Sequence, residues 1–137
     1  MTSEILFRGK SISTGEWIEG DGIHYPKSIN YLGTCWIDGM EDRANDWIQV
    51  DPATVGQYTG LCDKNGVKIF EGDILRDGLG DDGVVTYFES IASFKYQVGN
   101  EVWNLNEGDP NRSTQLQYTE IIGNIHDTPD LGKEETE

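Results

Sequence analysis

Short alternations of apolar and polar residues run along most of this chain, and glycine, asparagine or aspartate interrupts them every several residues. Alternation with a period of two is typical of strands, whereas a helix needs apolar residues three and four apart. The clearest strand is Val-Val-Thr-Tyr-Phe at residues 84–88. The pattern therefore predicts a mainly β protein.

Turn signals divide the strands into hairpins. Residues 13–15, Ser-Thr-Gly, separate two extended runs near the start of the chain. Asn65-Gly66 and Gly99-Asn100 supply residues that tolerate the left-handed backbone of tight hairpin turns. Asp51 followed by Pro52 predicts a single helical turn, because aspartate caps a helix and proline suits its first position.

The spacing of these elements predicts the domain organisation. Residues 66–131 contain about five strands joined by short hairpins, a number and length that commonly close into a small barrel, here SH3-like or OB-like. The pattern predicts a smaller N-terminal β lobe over residues 1–50, packed against that barrel, and residues 51–65 connect the two. A disordered acidic tail is predicted for residues 132–137.

Charge is the strongest compositional signal. The 137 residues include 25 acidic and 10 basic side chains, which give a net charge of −15. Such a surface repels phosphate backbones and anionic lipids, so we expect neither direct nucleic-acid binding nor membrane binding. The excess has two interpretations: solubility, or mimicry of DNA by rows of carboxylates.

The metal and redox candidates are few. Cys35 and Cys62 are too far apart in sequence for a zinc pair, and neither His24 nor His126 stands close to either thiol. A chain of this length can fold without a metal or a disulfide. We expect no metal and no cofactor. No signal peptide or apolar span is visible, so we expect a cytosolic protein with reduced thiols.

The acidic loop at residues 77–83 invites two further interpretations. Its carboxylates and glycines could surround calcium, but their spacing does not fit an EF-hand. The spacing Gly78-x-Gly80-x-x-Gly83 matches a dinucleotide fingerprint. Acidic residues surround the place of the pyrophosphate, however, and no helical pattern follows. We interpret the loop as a solvated turn.

Aromatic side chains are the remaining candidates for a binding surface. Most of them fall on alternating strand positions, where large rings usually fill a core. We therefore expect a mainly structural role for Trp17, Trp36, Trp47, Tyr58, Phe70, Tyr87, Phe94 and Trp103.

Three segments together resemble the hallmark of the YopX family. They are the opening at residues 5–10, the closing run at residues 120–131, and a central motif. The central motif comprises Val55-Gly56-Gln57-Tyr58-Thr59-Gly60-Leu61, Asp63-Lys64-Asn65-Gly66 and Ile69-Phe70-Glu71-Gly72-Asp73-Ile74. The resemblance covers nearly the whole chain.

The resemblance implies a small, mainly β protein encoded by bacteriophages and prophages and acting in a bacterial cytoplasm. It brings no catalytic residues and no activity to this chain. Most of the central motif has a structural explanation, because its glycines suit turns and its apolar residues suit a core. Gln57, Tyr58 and Thr59 are the polar or amphipathic remainder, and they are our candidate binding residues.

Three functional hypotheses follow. The first is an accessory protein that binds another protein, or a second copy of itself, and is not an enzyme. The second is a DNA mimic that inhibits a host DNA-binding enzyme, which requires carboxylates in rows on one face. The third is an enzyme whose site is assembled from distant residues. It would need His24 or His126 in a pocket beside a carboxylate or thiol.

Overall fold

The computed structural model describes residues 5–38, 47–78, 80–88, 93–99, 101–105 and 118–128. Within these ranges the chain forms twelve β-strands and two short 3₁₀ turns, without an α-helix. The strands make three antiparallel sheets, which confirms the mainly β prediction. The chain divides into two compact units, Met1–Tyr58 and Thr59–Glu137.

The first unit begins with the predicted N-terminal hairpin. Its strands are β1 (Phe7–Lys10), β2 (Trp17–Gly20), β3 (Gly22–His24), β4 (Cys35–Asp38), β5 (Trp47–Val50) and the start of β6 (Gly56–Cys62). β1 pairs with β2 from Phe7 opposite Gly20 to Lys10 opposite Trp17, which confirms the hairpin. The first residues of β6 pair with the other edge of β1.

β3, β4 and β5 form a three-stranded meander in that order. Cys35, Ile37 and Val50 are fully buried at its centre. Half-buried side chains surround them, and these come from both sheets of the unit and from the connection before β6: Phe7, Ile18, Ile23 and Val55. The core of the first unit is therefore small and apolar, and it lies against one face of the meander.

A short turn joins β5 to β6 as the sequence predicts. The Asp51 carboxylate accepts the backbone N–H of Ala53 at 3.0 Å, and Pro52 opens the 3₁₀ turn Pro52–Thr54. The buried Thr54 hydroxyl in turn accepts the N–H of Lys10 at 2.9 Å. Because this contact reaches β1, the capped turn also ties the two sheets of the unit together.

The second unit is built on a five-stranded antiparallel sheet. The strands of that sheet are β8 (Asp73–Arg76), β9 (Asp82–Phe88), β10 (Ser93–Val98), β11 (Glu101–Asn104) and β12 (Glu120–Asn124), and the unit also contains β7 (Lys68–Phe70), which pairs with β6 instead. The five-stranded order is β11-β10-β9-β8-β12. Val98 lies opposite Glu101, which confirms the hairpin about Gly99-Asn100. The core comprises Ile69, Leu75, Val85, Tyr96 and Leu105.

The predicted barrel is not what the described residues form. A barrel has no sheet edges, whereas β11 and β12 stand at opposite ends of an open sheet. The number of strands and their hairpins were readable from local pattern. Closure depends on pairing between distant edges, which local pattern does not encode. An SH3-like or OB-like form is therefore not confirmed, and the packing of the N-terminal lobe against a barrel stays a prediction.

Two sequence predictions concern other parts of the chain. The described residues contain no helix long and apolar enough to cross a membrane. The predicted acidic tail at residues 132–137 lies outside the described residues.

Candidate functional site

The meander of β3, β4 and β5 has two chemically different faces. Side chains alternate along each strand, and directly paired residues share a face. Ile23, Ile37 and Ile48 are paired across the three strands, and Cys35 is paired with Val50. These residues form the buried aliphatic face. The residues between them must therefore project from the opposite face.

The opposite face carries two pairs of aromatic rings. His24 lies directly opposite Trp36 on the neighbouring strand. The His24 ring is 5.8 Å from the ring of Trp47, and the Trp36 ring is 6.5 Å from that of Tyr31 in an edge-on arrangement. We call Tyr31, Trp36, His24 and Trp47 the aromatic strip. Rings at these separations make favourable contacts with one another, so the strip is a preformed surface.

Local hydrogen bonds fix one end of the strip. Tyr31 ends the 3₁₀ turn Ile29–Tyr31, and its N–H donates to the Ser28 carbonyl at 2.9 Å. The Thr34 hydroxyl donates to the Tyr31 carbonyl at 2.7 Å and accepts the indole N–H of Trp36 at 3.0 Å. One threonine therefore sets both the backbone of Tyr31 and the orientation of the Trp36 ring.

A glycine makes room for the other end. Gly22, Asp38 and Trp47 are paired in one row across the meander. A Cβ atom on Gly22 would lie 3.2 Å from Cη2 of Trp47 and 3.4 Å from Cβ of Asp38. The Trp47 ring thus reaches across the sheet to lie over Gly22, while 43% of the residue stays exposed.

The connection between β3 and β4 carries further exposed apolar residues. Ile29 is 83% exposed and Leu32 is 62% exposed, and both flank Tyr31 in the chain. Tyr25, just after β3, is also exposed, but its hydroxyl contacts Cys35 and so lies on the side of the sheet opposite to the strip. Isolated exposed apolar residues are ordinary, whereas several in one short segment make this connection a candidate for an interaction surface.

Tyr25 lies close to the buried thiol of Cys35. Burial raises the pKa of the Tyr25 hydroxyl, and its contact with Cys35 raises that pKa further. Burial also raises the pKa of the Cys35 thiol, against hydrogen bonds that lower it. Both groups are therefore neutral at pH 7, and neither serves as an anionic nucleophile there.

The predicted binding residues Gln57, Tyr58 and Thr59 follow one another on β6. Gln57 is exposed opposite Phe7 of β1. Tyr58 is buried, and its N–H donates to the Leu6 carbonyl at 2.9 Å. The alternation of a strand directs Tyr58 away from its two neighbours.

Thr59 belongs to the second unit, where its hydroxyl is used within the fold. That hydroxyl donates to the Ile69 carbonyl at 2.8 Å and accepts the N–H of Leu61 at 3.2 Å. The side chain of Gln57 is therefore the accessible group of the three. A binding role for this triplet stays a prediction.

The cysteines and histidines are dispersed over the fold. Cys35 is buried in the first unit and Cys62 is exposed in the second, and both are free thiols. His24 belongs to the aromatic strip, while His126 lies beside Gly72 in the second unit. Among the described residues no group of three or more histidine, cysteine, aspartate or glutamate side chains could hold a metal ion.

The acidic loop after β8 folds around a tyrosine. Asp77 is buried and accepts the N–H of Asp81 at 3.0 Å. The Tyr96 hydroxyl contacts Oδ2 of Asp77 at 3.4 Å and the Asp81 carbonyl at 2.9 Å. Asp82 forms an ion pair with Arg76 at 2.8 Å. The chain turns here as predicted, with the N–H of Gly80 donating to the Asp77 carbonyl at 3.0 Å, but Asp77 is buried and not solvated.

The expectation of a mainly structural role for the aromatics is wrong for part of the set. Phe70 and Tyr58 are buried as expected, but Trp47 and Tyr87 are exposed. The sequence signal that could have shown this is the position of each aromatic residue relative to its apolar neighbours in the alternating pattern of the strand. Trp36 alternates with the apolar residues Cys35 and Ile37, so it had to project from the face opposite to theirs. Which face is buried depends on what packs there.

Comparisons with known proteins identify relatives of the chain. The family model described as "YopX protein" matches residues 6–132. No curated protein matches. Among solved structures, the chain resembles the crystal structure of protein EF1440 from Enterococcus faecalis, with a TM-score of 0.59 and 22% sequence identity. That match covers 96% of this chain and 100% of the other. At this identity the likeness concerns the fold alone.

Proposed function

This chain belongs to the YopX family, and from that premise we propose that it is a phage- or prophage-encoded accessory protein that binds another protein through the aromatic strip. We place this action in the bacterial cytoplasm. The observation that carries the proposal is that two ring pairs, Tyr31 with Trp36 and His24 with Trp47, lie with His24 directly opposite Trp36 on the neighbouring strand, on the open face of a sheet whose other face is filled by the core.

The strip has the composition of a protein-binding hot spot. Tryptophan and tyrosine dominate the energetics of protein interfaces, because each ring buries a large area while losing little side-chain entropy. Truncation of one such anchor typically weakens a complex by about 2 kcal/mol or more. The Thr34 contacts and the space at Gly22 hold the rings in place before binding, which lowers the entropic cost of association.

A protein partner fits the charge of the chain better than nucleic acid or lipid does. The net charge of −15 opposes approach to phosphate groups. Self-association through the same strip is an alternative form of this proposal, since like copies can also cover an apolar surface.

DNA mimicry is the weaker proposal. It requires exposed carboxylates in rows, whereas Asp63, Asp73 and Asp77 are buried. Each of these three carboxylates accepts backbone N–H groups of its own unit. Catalysis is weaker still, because the imidazole of His24 lies beside an indole and away from the buried thiol face of its sheet.

Capture of partners by variants tests the proposal. The wild-type protein, a Tyr31→Ala/Trp47→Ala double variant and Tyr118→Ala are each tagged and mixed with lysate of the bacterial host at low and high salt. Tyr118 is 51% exposed, against 52% for Tyr31, and it belongs to the second unit, so it is a matched control.

We expect the double variant to lose a partner that the wild type and Tyr118→Ala retain in high salt. Equal capture by all three would contradict the proposal. Mimicry would be favoured if the protein captured a DNA-binding enzyme, if high salt abolished that capture, and if the double variant captured the enzyme as well as the wild type does. Light scattering of the purified wild type and double variant separates self-association from binding to another protein.

A further inference from the structure

We propose that one end of the aromatic strip is an arginine-recognition site, in which the indole of Trp47 and the carboxylate of Asp38 together receive a guanidinium group of the partner. This inference rests on the proposed protein-binding function and names the chemistry of its ligand: an exposed arginine on a segment of the partner protein.

The geometry brings an indole and a carboxylate to one spot. Asp38 is paired with Gly22 on one side and Trp47 on the other, so the three residues share the open face. The Trp47 ring and the Asp38 stem both lie within 3.4 Å of the position that a Cβ on Gly22 would occupy. The missing side chain at Gly22 therefore lets the ring and the carboxylate approach each other.

The two groups together match a guanidinium. This cation is planar, stacks on aromatic faces, and presents paired N–H donors to a carboxylate. Asp38 is half-buried, so a charge-assisted hydrogen bond there is less screened than at a fully exposed acid. Within the described ranges, the Asp38 carboxylate has no hydrogen bond or ion pair of its own.

The surrounding charge favours a cationic ligand. Asp21 is exposed and immediately precedes Gly22. The cations Arg8 and Lys10 are engaged elsewhere, at 4.6 and 5.5 Å from the ring of Trp17. Lys27 stands in the connection after β3. With a net charge of −15 on the chain, long-range attraction also steers basic segments towards it.

Matched peptides test the assignment. Three Gly/Ser peptides of equal length carry arginine, lysine or citrulline at the same central positions, and their binding to the full chain is followed by fluorescence anisotropy. Citrulline keeps the shape of arginine without its charge. The protein variants are Asp38→Asn, Trp47→Leu and Glu16→Gln, the last of which removes an exposed charge of the same unit just before β2.

We expect the arginine peptide to bind about tenfold more tightly than the citrulline peptide, with lysine between them. Asp38→Asn should abolish that preference and Trp47→Leu should weaken binding about tenfold, while Glu16→Gln changes affinity less than about twofold. Equal binding of arginine and citrulline, undetectable binding of the arginine peptide, or equal effects of Asp38→Asn and Glu16→Gln would each overturn the inference.

The two proposals fail in different ways. One outcome is that the Tyr31→Ala/Trp47→Ala variant abolishes capture of a protein partner while the wild type binds the arginine and citrulline peptides equally. In that case the proposed binding function is supported and the arginine-recognition site is wrong. If the double variant captures the partner as well as the wild type does, the proposed binding function is wrong. The comparison of arginine with citrulline uses the wild-type chain, so it decides the inference even if a variant fails to fold.

Discussion

The carboxylate of Asp63 accepts the backbone N–H of Ile121 at 3.0 Å, although the two residues are 58 positions apart in the chain. The other carboxylate oxygen accepts the N–H groups of Asn65 and Val67 at 2.8 and 3.0 Å. One buried side chain therefore closes the Asn-Gly turn and fixes it to β12. The hydrogen bond from Ile121 lies at the point where the pairing register of β12 with β8 shifts, between Ile121 and Gly123.

This relationship predicts a large stability cost at Asp63. Asp63→Ala would leave three backbone N–H groups without their acceptor, so we expect a loss of about 3 kcal/mol in the free energy of unfolding. Asp63→Asn keeps one carbonyl oxygen and should lose about 2 kcal/mol. Urea denaturation measures both. The exposed Glu16→Gln is the control and should change stability by less than about 0.5 kcal/mol.

A second prediction concerns the close approach of β2 and β4. A Cβ atom on Gly20 would overlap the carbonyl oxygen of Asp38, which is backbone and has little freedom to move. Gly20→Ala should therefore destabilise the first unit by about 3 kcal/mol. A Cβ atom on Gly22 would meet only side-chain atoms, the end of the Trp47 ring at 3.2 Å and Cβ of Asp38 at 3.4 Å, so Gly22→Ala should cost about 1 kcal/mol and alter tryptophan fluorescence. Similar thermal midpoints for the two variants would contradict this account.

The Tyr96 hydroxyl gives a third prediction. It lies within hydrogen-bonding distance of the carbonyls of Leu75 and Asp81 and of the Asp77 carboxylate. Tyr96→Phe keeps the buried ring but removes this donor, and we expect a loss of about 1–2 kcal/mol by urea denaturation. Tyr87→Phe is the matched control, because Tyr87 is exposed and should change stability by less than about 0.5 kcal/mol.

The two thiols provide a fourth prediction. Cys62 is exposed and Cys35 is fully buried. At pH 7.5 (about neutral) a thiol reagent should label one cysteine quickly and the other only as the first unit opens. Mass mapping should find the fast label on Cys62, and Cys62→Ser should remove the fast phase. Rapid labelling of Cys62→Ser would contradict the burial of Cys35.

The raised pKa of Cys35 also fixes the direction of a pH effect. The folded thiol holds its proton to higher pH than the unfolded thiol, whose pKa is about 8.5. The folded state therefore binds more protons, and this contribution to stability is complete below about pH 8.5 and decreases as the pH rises further. In a Cys62→Ser background, Cys35→Ala should reduce the fall of the urea midpoint between about pH 8 and 10. An unchanged slope would contradict this linkage.

Several local features were predictable because their causes are local. Asp51 and Pro52 specify their turn through a side-chain cap and a fixed backbone angle, and the structure confirms it. Gly66 adopts a φ of 80° after Asn65, as a tight turn requires. The aromatic strip was harder to predict, because alternation separates the Trp36 side of β4 from the Ile37 side without saying which side meets solvent.

The sequence by itself determined the strands, the hairpins, the charge and the resemblance to the YopX family, since each depends on neighbouring residues or on a recognisable motif. The tertiary structure decided that the five-stranded sheet stays open in the described residues, that Asp63 reaches Ile121, and that Trp36 and Trp47 share an open face with His24. The physical reason is that pairing of distant edges and burial of one face depend on contacts between segments far apart in the chain, which no local pattern specifies.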